Sequence, residues 1–298
     1  MLPGRAQRIF PPRRRLWHPK EVQRLRLLLV ALGCALLLGG CALRFDTPAP
    51  TPEPPSAEET LRQEAAIALQ ALAEANPEAL GDEQAADRYR TRVELVGGVW
   101  QACPTDASEQ ECEALPTPPA IPPVTTSEQA IAQCIAAATA LKQLADEDTS
   151  SGVVAAGMLP ALLAEFSAED APVELPDWGS GRWTTSAAVV EALDWGAWQL
   201  EALGARSGDK ESVTLARSYR AAVAAPQASG VSGVRPPSTY VTEQLSRAEI
   251  IQRSAAAVAG ALPDLAVAER GAVMSYLTEA TRQLATAKIE VPASWLAG

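Results

Sequence analysis

One histidine, His18, stands among 298 residues, and it lies in the basic N-terminal stretch. Once that stretch is removed as a leader, the body has no imidazole. Ser-His-Asp and Cys-His catalysis, His-ligated zinc and the Glu-x-x-His pairs of di-iron bundles are thereby excluded. Histidine is also the usual proton carrier near neutral pH, so a general acid would have to be a tuned carboxyl or lysine. Phosphate loops, dinucleotide fingerprints and nucleophile elbows are missing as well. No catalytic set, cofactor or metal is expected, and the reading is of a chain that is not an enzyme.

A membrane-spanning run is the second thing lacking. Leu27 to Leu38 is uncharged and almost wholly apolar, yet it is too short to cross a bilayer core of roughly 30 Å as a permanent helix. Arg5, Arg8, Arg13, Arg14, Arg15, Lys20, Arg24 and Arg26 precede it against the single acid Glu21. A basic region, a short apolar region and small residues define a secretory signal. An ordinary cut near Gly40 would leave Cys41 incidental. Leu38-Gly39-Gly40-Cys41, however, resembles the lipobox of bacterial lipoproteins at every position. That resemblance implies cleavage after Gly40 and acylation of Cys41, whose chains bury about 0.8 kcal/mol per CH₂ in the membrane. The chain is therefore expected on the extracytoplasmic side of the cell membrane, held by its lipid. Arg13 to Arg15 hint at twin-arginine export but the residues after them fit poorly, so Sec and Tat both stand.

Basic residues are scarce beyond the leader. Residues 1–40 carry eight of the 25 basic residues and one of the 36 acids, leaving 17 against 35, a net charge of −18. Such a surface repels nucleic acid and anionic headgroups. The partners expected are the membrane, through the anchor, and another envelope protein.

Cysteines outside the leader are few: Cys41, Cys103, Cys112 and Cys134. In an oxidising compartment one pair and one leftover are expected after Cys41 is acylated. Cys103 and Cys112, close together in a proline-flanked loop, are the expected disulfide. Thiol oxidoreductases use C-x₂-C, which this pair does not match, so a structural role is favoured over a redox one. Cys134 falls with Ile131, Ile135, Ala138 and Leu141 on one helical face, which suits a buried thiol.

What is abundant is alanine, leucine, glutamate and arginine at helical spacing. Residues 1–40 read as the lipoprotein signal peptide and 41–57 as a stalk. Thr47-Pro48-Ala49-Pro50-Thr51-Pro52-Glu53-Pro54-Pro55 favours extended polyproline II at about 3.1 Å per residue. Helices are expected from the Ser56/Glu59 start through Leu72, over 83–100, 127–146 and 152–167 with a kink at Pro160, then over 184–205, 210–225, 241–261 and 264–288. Prolines 104, 116, 118, 119, 122 and 123 deny a helix to the long crossover between the second and third.

The second half repeats the first. Val173-Glu174-Leu175-Pro176-Asp177-Trp178 answers Ile289-Glu290-Val291-Pro292-Ala293-Ser294-Trp295, Met158 answers Met274, and Ser127-Glu128-Gln129 answers Thr242-Glu243-Gln244. Tyr89-Arg90 answers Tyr219-Arg220. One long connection between the second and third helices of each half is the connectivity of ferritin-like bundles. The expected fold is all-α: two tandem four-helix bundles of ferritin-like connectivity, 58–180 and 181–298, after the signal peptide and Pro-rich stalk.

The leader, Arg44-Phe45-Asp46-Thr47-Pro48, Gly97-Gly98-Val99-Trp100 and the alanine-rich second half together resemble a group of actinobacterial lipoproteins with a ferritin-like domain of unknown function. The resemblance implies a bundle fold in the cell envelope and brings no activity. Metal binding does not carry over. Glu191 and Asp194 sit at helical spacing without the histidine such a site needs and read as surface acids.

Aromatics make up 5% of the chain, yet Trp178, Trp183, Trp195 and Trp198 crowd together. They read either as a platform for a glycan, peptide or lipid, or as packing where the two bundles meet. Tyr89-Arg90 and Tyr219-Arg220 mark either equivalent grooves or internal stacking. The function expected is that of a non-catalytic envelope lipoprotein, a binding or scaffolding module. The alternative is a carrier of a small apolar ligand in or between the bundles.

Overall fold

The computed structural model describes residues 54–100, 119–167, 170–180, 186–228 and 240–296. The leader, Cys41, most of the stalk, Cys103, Cys112 and Trp183 lie outside the described residues.

Capping chemistry sets most of the helix starts. Helix α1, Ala57–Ala73, begins where the Ser56 hydroxyl accepts from the Glu59 amide at 3.1 Å. A single turn, α2 (Pro77–Leu80), follows Asn76 and stops at Gly81 with φ of 68°. The spacing above passed over this turn, although Asn, Pro and Gly stand at the N-cap, first and C-cap positions. Helix α3 is Ala85–Leu95. It ends five residues short of the expected Trp100 because Gly97 and Gly98 adopt φ of 93° and 74°. The Gly98 amide then closes on the Val93 carbonyl at 2.8 Å, and Arg62 holds the Val96 and Gly98 carbonyls at 2.9 and 3.0 Å.

Helix α4, Ser127–Ala145, has the reciprocal Thr126/Gln129 capping box, and Thr149 caps α5, Ser150–Leu163, in which Pro160 lies within the helix. In the second half come α6 (Ala187–Ser207), α7 (Lys210–Ala228), α8 (Arg247–Gly260) and α9 (Val267–Thr286). Two 3₁₀ turns, Trp178–Ser180 and Leu262–Asp264, complete the described elements, which are otherwise nine α-helices without a strand among the described residues. Helix α8 starts later than the expected 241. The Gln199 side chain bonds Val241 and Glu243 backbone at 2.8 and 3.1 Å and holds that stretch extended. The Ser246/Glu249 capping box then opens the helix.

Packing follows the same plan in each half. Helix α1 packs on α3 and α4, and α4 on α5; α6 packs on α7 and α8, and α8 on α9. The halves meet through α5 and α9. Arg270, near the start of α9, donates to the Glu147 carbonyl just before α5 at 2.7 Å. Arg282, near its end, reaches the Leu163 and Phe166 carbonyls at the end of α5 at 3.3 and 3.4 Å. The two helices therefore run parallel. Glu53–Gly298 forms one compact unit, with buried alanine, leucine and valine side chains from both halves in a single core. On α4 the structure separates residues that the helical pattern grouped. Cys134, Ala138 and Leu141 are buried, whereas Ile131 and Ile135 are 53% and 42% exposed. The isoleucines lie to one side of the stripe centred on Leu141, at the edge where α4 leaves its neighbours.

The segments that close each half are exchanged. The turn Trp178–Ser180, which ends the first half, packs on α7 and α9. The C-terminal segment packs on the first half in return. Arg92 of α3 donates to the Ala293 carbonyl at 3.3 Å, and the Trp295 amide donates to the Gly157 carbonyl of α5 at 3.0 Å. A Cβ at Gly157 would lie 2.7 Å from Leu296 Cδ1, so any larger residue there displaces the Leu296 side chain.

Candidate functional site

Burial of Tyr219 and Tyr276 draws α7 and α9 together, since a buried phenol needs a partner. Each supplies the other: their hydroxyls are 2.9 Å apart. Trp178 closes the gap edge-on, with ring centroids 5.8 Å from Tyr219 and 5.4 Å from Tyr276. Burial pushes both phenols well above their ordinary range, so both stay protonated at physiological pH.

Two basins flank this aromatic cluster. One, of about 720 Å³, runs between α7, α8 and α9, with Leu215, Ala248, Ile251 and Ala287 among its apolar lining and Thr214, Ser218 and Gln283 among its polar lining. The other, of about 540 Å³, lies between the segment Ala171–Trp178, the end of α5 and α9, and is lined by Thr278 and Arg282 among others. Trp178 and Glu279 line both. Glu279 is half-buried, accepts from the Gln283 amide at 2.8 Å, and has no ion-pair partner among the described residues. At the far end of the larger basin Arg247 is neutralised by Glu211 and Asp209.

The corresponding gap in the first half is filled instead. Tyr89 of α3 donates to Glu165, just after α5, and its hydroxyl lies 3.3 Å from the Cys134 sulfur. Arg92, 1% exposed, pairs with Glu165 at 2.8 Å and lies over the Tyr89 ring at 5.2 Å. Burial pushes the Cys134 thiol up to about 11, and the same burial, reinforced by the Glu165 charge, raises Tyr89. A thiol so held is neutral and a poor nucleophile.

Of the four tryptophans picked from the sequence, Trp178 enters the cleft and Trp183 lies outside the described residues. Trp195 packs at the edge of the core. Trp198 faces Tyr240, with centroids 6.5 Å apart, in a separate cluster. Asp194 is not a surface acid: it is 6% exposed and pairs with Arg220, which also holds Glu201 at 3.1 Å. Glu191 is exposed. Sequence reasoning missed Glu279, Tyr276, Arg92 and Glu165. The usable signal was a charge on an apolar stripe, Arg92 between Tyr89 and Val93, because a charge placed there has to find a buried partner.

Among the described residues no three His, Cys, Asp or Glu side chains converge as a metal site, and no helix is long and apolar enough to cross a membrane. No family model, curated protein or solved structure matches the chain.

Proposed function

We propose that the chain is an envelope lipoprotein, tethered by acylated Cys41 and displayed by its proline-rich stalk, that works by binding and not by turnover. The cleft around Trp178 is its binding site. The observation that carries this reading is the pair of basins sharing one indole and one carboxylate, in a body without histidine. Sites that hold ligands are concave, largely apolar and furnished with a few convergent polar groups; the larger basin meets that description, and the smaller one adds a mainly polar extension. Another envelope protein is the partner. The repeated pairing of helices in each half supports two tandem four-helix bundles of ferritin-like connectivity, in line with the resemblance to actinobacterial lipoproteins carrying a ferritin-like domain of unknown function.

The test is crosslinking of the anchored chain in intact cells, with mass spectrometry of what is captured. Ala248→Trp, which fills the larger basin, is expected to abolish capture while leaving helicity unchanged. Undiminished capture would remove the cleft from the proposal. A second reading, carriage of a small apolar ligand, rests on Leu215, Ala248, Ile251 and Ala287 in the larger basin. Lipid retained through purification, and expelled by the same substitution, would favour it.

A further inference from the structure

Resting on that reading, we infer that the junction of the two basins receives a basic side chain, lysine or arginine, carried by an extended segment of the partner. Glu279 lines both basins and is half-buried, and its hydrogen bond to Gln283 leaves its charge unneutralised. Trp178 lines the same two basins. An indole next to a carboxylate in a partly desolvated cleft is the arrangement that selects an organic cation over water, through ring quadrupole and charge together. A fully hydrated inorganic ion would gain nothing from the indole. The methylene stem of a lysine or arginine gains burial against it.

Shape points to a chain and not to an isolated amine. The basins extend to both sides of Trp178, with apolar lining on the α7–α8 side and polar lining towards Thr278 and Arg282. A ligand ending at Glu279 would leave both unfilled. The protein already lays its own extended segments along such gaps: Leu175 and Asp177 line the smaller basin, and Ala293 to Leu296 lie across α3 and α5. The docking surface thus continues an interface that exists within the molecule. Charge agrees with it. The body beyond the leader carries 17 basic residues against 35 acids, which draws cationic segments towards it.

The test is calorimetric titration of the purified full chain with acetyl-Leu-Lys-Leu-Lys-amide, its Glu-for-Lys counterpart, and n-butylammonium. The basic peptide is expected to bind, more weakly as salt rises, and the acidic one to bind at least tenfold more weakly. Glu279→Gln keeps the volume and the Gln283 contact, and is expected to weaken the basic peptide on the order of tenfold with the circular-dichroism spectrum unchanged. Lys142→Gln, on α4 and outside both basins, is expected not to weaken it. Equal binding of the two peptides, indifference to Glu279→Gln, or butylammonium binding as tightly as the peptide would each overturn the inference. The outcome is separable from the broader reading: capture lost with Ala248→Trp but retained with Glu279→Gln would keep the cleft and discard the cation.

Discussion

At the scale of single residues, charge and hydroxyl groups inside an alanine-rich core decide more than the apolar side chains do. Arg92 is buried and satisfied by Glu165 and by the Ala293 carbonyl. Removing the guanidinium leaves Glu165 to resolvate, since its side chain retains 27% exposure. Arg92→Met is therefore expected to cost about 2–3 kcal/mol, less than breaking a fully buried pair, as read from a urea unfolding midpoint. Cys134 gives a pH-dependent counterpart. Its thiol is raised to about 11 in the fold against about 8.5–9 in the unfolded chain. Between those values the unfolded state has lost a proton that the folded state keeps. Stability is thus full below about pH 8.5 and falls as pH rises towards 11, and the raised Tyr89, Tyr219 and Tyr276 phenols extend the loss in the same direction. A lower urea midpoint at pH 10 than at pH 8 is the expected result, and Cys134→Ser is expected to flatten part of that slope. Alkylation of Cys134 by iodoacetamide at pH 8 is expected to be slow until denaturant is added.

At the scale of elements, the presence of the helices was legible in the sequence, but of their capping residues only Ser56 was read as one. Ser56, Thr126, Thr149, Ser186 and Ser246 each cap the helix that follows. The opening of α8 shows where local reading gave way. Thr242-Glu243-Gln244 matches Ser127-Glu128-Gln129 in sequence, but a side chain from another helix, Gln199, holds residues 241 and 243 extended. Ser246→Ala removes a hydroxyl that accepts from the Glu249 amide and is expected to cost about 1 kcal/mol by chemical denaturation. The exchanged C-terminal segment makes a stronger claim. Gly157→Leu puts a side chain where Leu296 and the Ser294 hydroxyl now lie, the latter at 3.1 Å from an added Cβ. The segment from Ile289 onward is expected to detach, seen as faster proteolytic trimming and a red shift of Trp295 emission. Helices α7 and α8 lie in the other half from Arg92 and Gly157, on which that segment docks, and are expected to keep their amide protection.

At the scale of the whole molecule, two like-built halves share one core and exchange their closing segments, and the proposed tether at Cys41 makes its own prediction. Cys41→Ser is expected to release the chain from membranes into the soluble envelope or medium fraction, checked by fractionation and by mass analysis of the N-terminus. Retention of the substituted protein on membranes would refute tethering at that sulfur. The acidic body accounts for the salt dependence expected of any basic partner, since exposed charges are screened within about 10 Å at 0.1 M salt.

Local chemistry along the chain determined the helices and their caps, because each depends on residues a few positions apart or on composition. Only the tertiary structure decided that Trp178 closes on Tyr219 and Tyr276, that Glu165 meets Arg92, and that Glu279, without an ion-pair partner among the described residues, lines the same basins as Trp178. Those meetings join residues tens to more than a hundred positions apart across helix faces. A helical period tells which side chains face inward, but which partner they find there depends on how α5 and α9 are set side by side.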